Sequence, residues 1–188
     1  GRAAEAGSVA GMRALASIYS KGTGCGGVPP DADRAVDLYR RAAARGDVQS
    51  LYNLALCTLH GAGTPADPPA AAQMLLRCRE QALYAEEIEG VTVAAAAAYV
   101  LGTLYIRGLG VPADDSEAFK LFSVSARDGH AEATEALSQC YALGRGVVRN
   151  ARRAEALLRR AKDIRKGVEL EPEREAGQDS DDFRFDSD

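Results

Sequence analysis

The chain has 188 residues, enough for one domain with a substantial core, and it is 46% hydrophobic with no Trp and a formal net charge of −4. Alanine is abundant and β-branched runs are scarce, which favours helices and argues against any large sheet. No apolar run reaches the roughly eighteen residues of a membrane-crossing helix, and no signal peptide is recognisable.

In chain order, apolar periodicity predicts helix pairs at about residues 4–21 and 31–45, 47–60 and 68–86, 91–107 and 114–128, and 130–143 and 150–166. The chain opens on Gly1-Arg2 without an initiator Met, so an excerpt or processed form is expected, with any targeting signal outside it. Each pair carries the same marks. Leu15-Ala16, Leu54-Ala55, Leu101-Gly102 and Leu137-Ser138 hold one slot, and Tyr19, Thr58, Tyr105 and Tyr141 follow each Leu by four. The glycines Gly22, Gly61, Gly108 and Gly144 come three residues later, and Ala35, Ala71, Ala118 and Ala154 fall early in each second helix. The marker leucines are 39, 47 and 36 residues apart, which is one helical-repeat period with two insertions.

The third copy, from Tyr99 to Arg127, is the cleanest. Leu101, Gly102 and Tyr105 form one packed face, the run Gly108-Leu109-Gly110-Val111-Pro112 ends the helix, and Asp114 or Asp115 is placed to cap the next. A small residue beside each marker Leu lets a second helix cross closely. Neither helix of a hairpin buries its apolar face alone, so stacked hairpins share one core.

On these marks the chain resembles the Sel-one-like repeat family, relatives of the tetratricopeptide repeats with a longer inter-helix turn. The likeness covers roughly residues 6 to 165. It implies an all-α fold, a right-handed α-solenoid of about four helix-turn-helix repeats (about 4–46, 47–86, 91–129 and 130–166) spanning residues 1–166, followed by an acidic C-terminal tail, 167–188. The second copy has Pro68-Pro69 at its second-helix start and lacks the Tyr, so it is expected to be the most irregular hairpin. The stretch from Glu86 to Thr92 is expected to extend the preceding helix and then break it.

Chemistry finds little support. The four cysteines contain no Cys-x-x-Cys pair, and Cys57 and Cys140 hold equivalent slots in repeats two apart, too distant to bridge. With His60 and His130 they complete no metal-ligand spacing, so reduced structural thiols and a reducing intracellular compartment, cytoplasm or organelle matrix, are expected. Gly22-Thr23-Gly24-Cys25-Gly26-Gly27 lacks the Lys-Ser/Thr and the preceding strand of a phosphate loop, and reads as a lengthened turn. No nucleophile–His set is identifiable, and no cofactor or enzymatic activity is expected.

Charge is split along the chain. Residues 167–188 hold nine acids against Arg174 and Arg184, whereas residues 1–166 hold 21 Lys and Arg against 18 acids. Within the tail, Phe183, Arg184 and Phe185 interrupt an acidic run and are expected to form a docking segment, on the arginine-rich last helix or on a partner.

The resemblance to tetratricopeptide repeats also implies a groove lined by the first helices. The corresponding positions are Arg13, Ser17, Ser20 and Lys21; Tyr52, Leu56, Leu59 and His60; Tyr99, Thr103, Ile106 and Arg107; and Glu135, Gln139, Ala142 and Leu143. The expected function is a non-catalytic adaptor or scaffold subunit that holds a partner's peptide or helix there. The alternatives are an RNA-binding repeat protein using the basic last helix, disfavoured because no aromatics interleave its arginines, and a regulatory fragment of a larger enzyme.

Overall fold

The computed structural model describes residues 8–22, 27–83 and 88–167. Within them eight helices follow one another: α1 Val9–Lys21, α2 Ala32–Ala43, α3 Val48–His60, α4 Pro68–Leu83, α5 Ile88–Arg107, α6 Asp115–Arg127, α7 Ala131–Leu143 and α8 Ala151–Arg165. Each helix packs against the next in the chain, and α3 also touches α5. That is a stack of hairpins, a solenoid rather than a closed bundle.

Local chemistry sets the helix starts. Side chains of Ser8, Asp31, Asp47, Asp114 and Asn150 each accept from the backbone N–H of the residue three further on, and Asp67 does the same for Ala70. The N-cap of α7 is His130, whose Nδ1 accepts from the Ala133 N–H at 3.3 Å. The turns repeat as faithfully. The N–H of the capping residue of each second helix donates to the carbonyl at the Tyr slot: Asp31 to Tyr19, Asp67 to Thr58, Asp114 to Tyr105 and Asn150 to Tyr141, at 2.8–3.1 Å.

This overturns the expectation that the second hairpin is the most irregular. Pro68 and Pro69 occupy the first turn of α4, where a missing N–H leaves no hydrogen bond unmade. Thr58 replaces the Tyr without disturbing the turn, its hydroxyl donating to the Leu54 carbonyl at 2.9 Å. The long link also differs from expectation. Helix α5 begins at Ile88, so Glu89 and Gly90 belong to its first turn; residues 84–87 lie outside the described residues. The first seven residues and the tail from 168 onward lie outside them as well.

Close crossings hold each hairpin shut. A Cβ on Gly102 would lie 2.6 Å from Phe122 Cε1, so α5 and α6 meet where no larger residue fits. At the equivalent slot of the fourth repeat, the Ser138 hydroxyl donates to the Ala154 carbonyl at 2.7 Å. Lower in the hairpins, Ser125 Oγ donates to Ala95 O at 2.7 Å and Cys78 Sγ lies 3.6 Å from Val48 O. These two contacts occupy equivalent positions, so Cys78 does a serine's work with a thiol.

Between repeats, the second turn glycine of one hairpin rests on the start of the second helix of the hairpin before it. A Cβ on Gly63 would strike the backbone of Ala32, on Gly110 that of Pro68, and on Gly146 that of Asp115. All three have positive φ, between 69° and 75°, which glycine alone adopts without strain.

Candidate functional site

The first helices carry a cleft of about 260 Å³ between α5 and α7. Tyr99, Thr103, Ile106 and Arg107 form its α5 wall, and Glu132, Glu135, Ala136 and Gln139 its α7 wall. Phe122 and Cys140 make the floor, at 3% and 2% exposure, while Leu143 stands at the rim 69% exposed. Arg145, from the turn after α7, also lines it.

Helices α5 and α7 run side by side in the same sense: Tyr99 in α5 stacks on His130 at the head of α7, ring centroids 5.0 Å apart, and at the other end Arg145, just after α7, pairs with Asp115 at the start of α6, the helix that follows α5. The cleft is therefore acidic at the end bearing Glu132 and Glu135 and basic at the end bearing Arg107 and Arg145. Two of these charges are tied into the fold. Glu135 accepts from Arg165 of α8 at 2.6 Å, and Arg145 forms a two-point pair with Asp115 at 3.0 and 3.1 Å. Burial lowers the pKa of His130, opposed by the nearby Glu132 carboxylate. The neutral imidazole is the form that can cap α7 through Nδ1.

Of the residues singled out from the sequence, Tyr99, Thr103, Ile106, Arg107, Glu135, Gln139 and Leu143 converge on this cleft. Tyr52 and Leu59 are half-buried against the core shared by the second and third repeats, Leu56 is half-buried, and His60 is exposed. Arg13 is engaged inside the fold, pairing at 3.1 Å with Asp47, the cap of α3. Ser17 lies within hydrogen-bonding reach of the Tyr39 hydroxyl. The segment Phe183, Arg184 and Phe185 lies outside the described residues.

Sequence reasoning missed Phe122, Glu132 and Arg145 as lining residues and His130 as a cap. Their signal is inter-repeat packing, which the marks within one repeat do not carry. Among the described residues no cluster of three or more His, Cys, Asp or Glu could hold a metal ion, and no helix is long and apolar enough to cross a membrane. Cys57, Cys78 and Cys140 are free, and burial pushes all three thiols up, that of Cys78 to about 12. The basic last helix is partly occupied too: Arg153 lies over the Tyr141 ring at 4.9 Å, beside the pairing of Arg165 with Glu135.

Stacked hairpins with a lined cleft on the first-helix face define a helical-repeat solenoid, an architecture of protein–protein interaction. The Sel1 repeat model matches residues 9–47, 48–78, 95–130 and 131–166, and the chain belongs to the Sel1 repeat family. It is 29% identical over 146 residues to cytochrome c oxidase assembly factor 7 of Xenopus tropicalis, covering 76% of this chain and 59% of that protein. It is 30% identical over 158 residues to cytochrome c oxidase assembly factor 7A of Xenopus laevis, covering 80% and 64%. The chain thus spans about three fifths of the length of these relatives. Among solved structures, a Sel1 repeat protein from Oxalobacter formigenes superposes with a TM-score of 0.74 at 27% identity, over 88% of this chain and 60% of that one.

Proposed function

We propose that the chain is a non-catalytic adaptor that holds a segment of a partner protein in the cleft between α5 and α7, within a larger assembly. The observation that carries this reading is the cleft itself: an apolar floor and an exposed Leu143 rim, flanked by charges of both signs. At about 260 Å³ it is smaller than the roughly 300–1,000 Å³ of small-molecule sites and suits one or two inserted side chains. Apolar groups left at a lined surface of this kind mark partner sites. The likeness to proteins named as cytochrome c oxidase assembly factors supports a role in building or holding a protein complex. The free state of Cys57, Cys78 and Cys140 supports a reducing compartment.

The test is affinity capture with the full chain and its Leu143→Glu variant, each with and without nuclease. Leu143 is exposed, so its substitution leaves folding intact. Loss of nuclease-resistant protein partners from the variant is the expected result. Capture that is nuclease-sensitive, or that survives Leu143→Glu, would overturn the reading.

A further inference from the structure

The cleft lies beside the point where the chain leaves the last helix. Arg165, two residues before Gly167, reaches Glu135 on the α7 wall at 2.6 Å. Helix α8 therefore ends next to the acidic end of the cleft. From Gly167 to Phe183 the chain extends up to roughly 50 Å, whereas the α5 wall from Tyr99 to Arg107 is only about 12 Å long. By contour length residues 181–186 are within reach of every part of the cleft, and a tether of that length would give a docking segment an effective concentration on the order of millimolar.

The chemistry of that segment complements the cleft. It reads Asp181-Asp182-Phe183-Arg184-Phe185-Asp186, two phenylalanines around one arginine with carboxylates on either side. The cleft offers an apolar floor for one ring, Glu132 for the arginine and Arg107 for a carboxylate. A run of acids alone would be repelled by the Glu132 end. Placing Arg184 between the rings puts the tail's positive charge next to its apolar anchors.

We propose that residues 181–186 of this same chain occupy the cleft between α5 and α7, inserting Phe183 or Phe185 against Phe122 and Ile106, so that a partner must displace the tail to bind. This rests on reading the cleft as a docking site and adds its regulation. The segment acts as an internal competitor that sets a threshold affinity for partners.

Two measurements on the full chain test it. The first is binding of a fluorescein-labelled peptide of residues 179–188 to the unaltered chain and to the full-length Phe183→Ala/Phe185→Ala variant. The variant, whose own tail no longer competes, should bind the peptide about tenfold more tightly or better, and adding Leu143→Glu to it should abolish that binding. The second is hydrogen exchange, in which amides of 100–107 and 135–143 should exchange faster in the double-Phe variant. Equal peptide affinity for the two chains would overturn the proposal, as would binding indifferent to Leu143→Glu, which would place the tail elsewhere, such as on the α8 arginines. Protection that grows with protein concentration would put the tail in a neighbouring molecule and overturn the intramolecular form. If Leu143→Glu still strips protein partners while the peptide fails, the adaptor reading stands and only the tail assignment falls.

Discussion

The Tyr99 ring lies against the His130 imidazole, centroids 5.0 Å apart and planes 27° from parallel, joining the third repeat to the cap of the fourth. Arg13 makes the corresponding contact two repeats earlier, reaching Asp47, the cap of α3. Both residues stand two before their marker Leu. That offset thus serves inter-repeat joining as well as the groove, and a substitution there acts on stacking before it acts on any partner.

His130 makes the joint between the third and fourth repeats sensitive to pH. Burial lowers its folded pKa below the unfolded value, so its contribution is present above about pH 6.5 and is lost as pH falls through the folded value, where Nδ1 gains a proton and no longer caps Ala133. Replacing His130 by Asn keeps a cap acceptor and removes the titration. Denaturant melts between pH 5 and pH 8 should show the unaltered chain losing more stability on acidification than the Asn variant. Parallel curves would place the titration elsewhere.

Replacing Gly102 by Leu should destabilise the third hairpin by roughly 1–3 kcal/mol or more, because even a Cβ there lies 2.6 Å from the Phe122 ring. The competing effect is helix propensity, which favours replacing a helical glycine by up to about 1 kcal/mol. Packing outweighs it. A melting temperature that rises in the variant would show that the crossing is looser than described.

A pair of alanine substitutions separates backbone strain from stacking. Gly129 and Gly146 both have positive φ, 82° and 69°, but a Cβ on Gly129 meets nothing within 4 Å, whereas on Gly146 it strikes the Asp115 backbone. Gly129→Ala should cost only the left-handed penalty of roughly 1–2 kcal/mol. Gly146→Ala should cost distinctly more and loosen the fourth repeat from the third, read as faster hydrogen exchange in α7 and α8. Equal losses would mean that the turn does not set the stacking.

The thiols should differ in reactivity. Cys78 is fully buried with its pKa pushed to about 12, and Cys140 is 2% exposed, whereas Cys57 is half-buried. Native alkylation at pH 8, read by mass spectrometry, should modify Cys57 well before the other two. Early modification of Cys78 would mean that α4 opens from α3.

The repeat was legible because its marks are backbone requirements. Leu101 beside Gly102 and Gly108 before a capping Asp114 each satisfy a local rule, and the four copies reinforce one another. The second hairpin was misjudged because Pro68-Pro69 was weighed as a departure from a pattern rather than as residues suited to a first turn. Much of the cleft lining was legible through the four offsets from the marker Leu that the likeness to tetratricopeptide repeats implies. Its internal pairings were not: Arg13 meets Asp47 and Glu135 meets Arg165 across 34 and 30 residues, and nothing local to either end announces the partner. His130 escaped notice as a cap because imidazole fills that role only when held neutral, a property of its burial rather than of its neighbours in the chain.

The seating of Gly110 on Pro68 has a consequence for how such an array grows. Marker leucines on either side of the 84–87 stretch are 47 residues apart, against 36 for the next pair, yet Gly110 still rests on the backbone of Pro68 as Gly146 rests on Asp115. The pitch of the stack is metered by main chain touching main chain, at points that do not count the intervening residues. Length can therefore be added in a link without detuning the array, and side chains along the cleft can be exchanged for a new partner while the spacing of the walls is inherited unchanged.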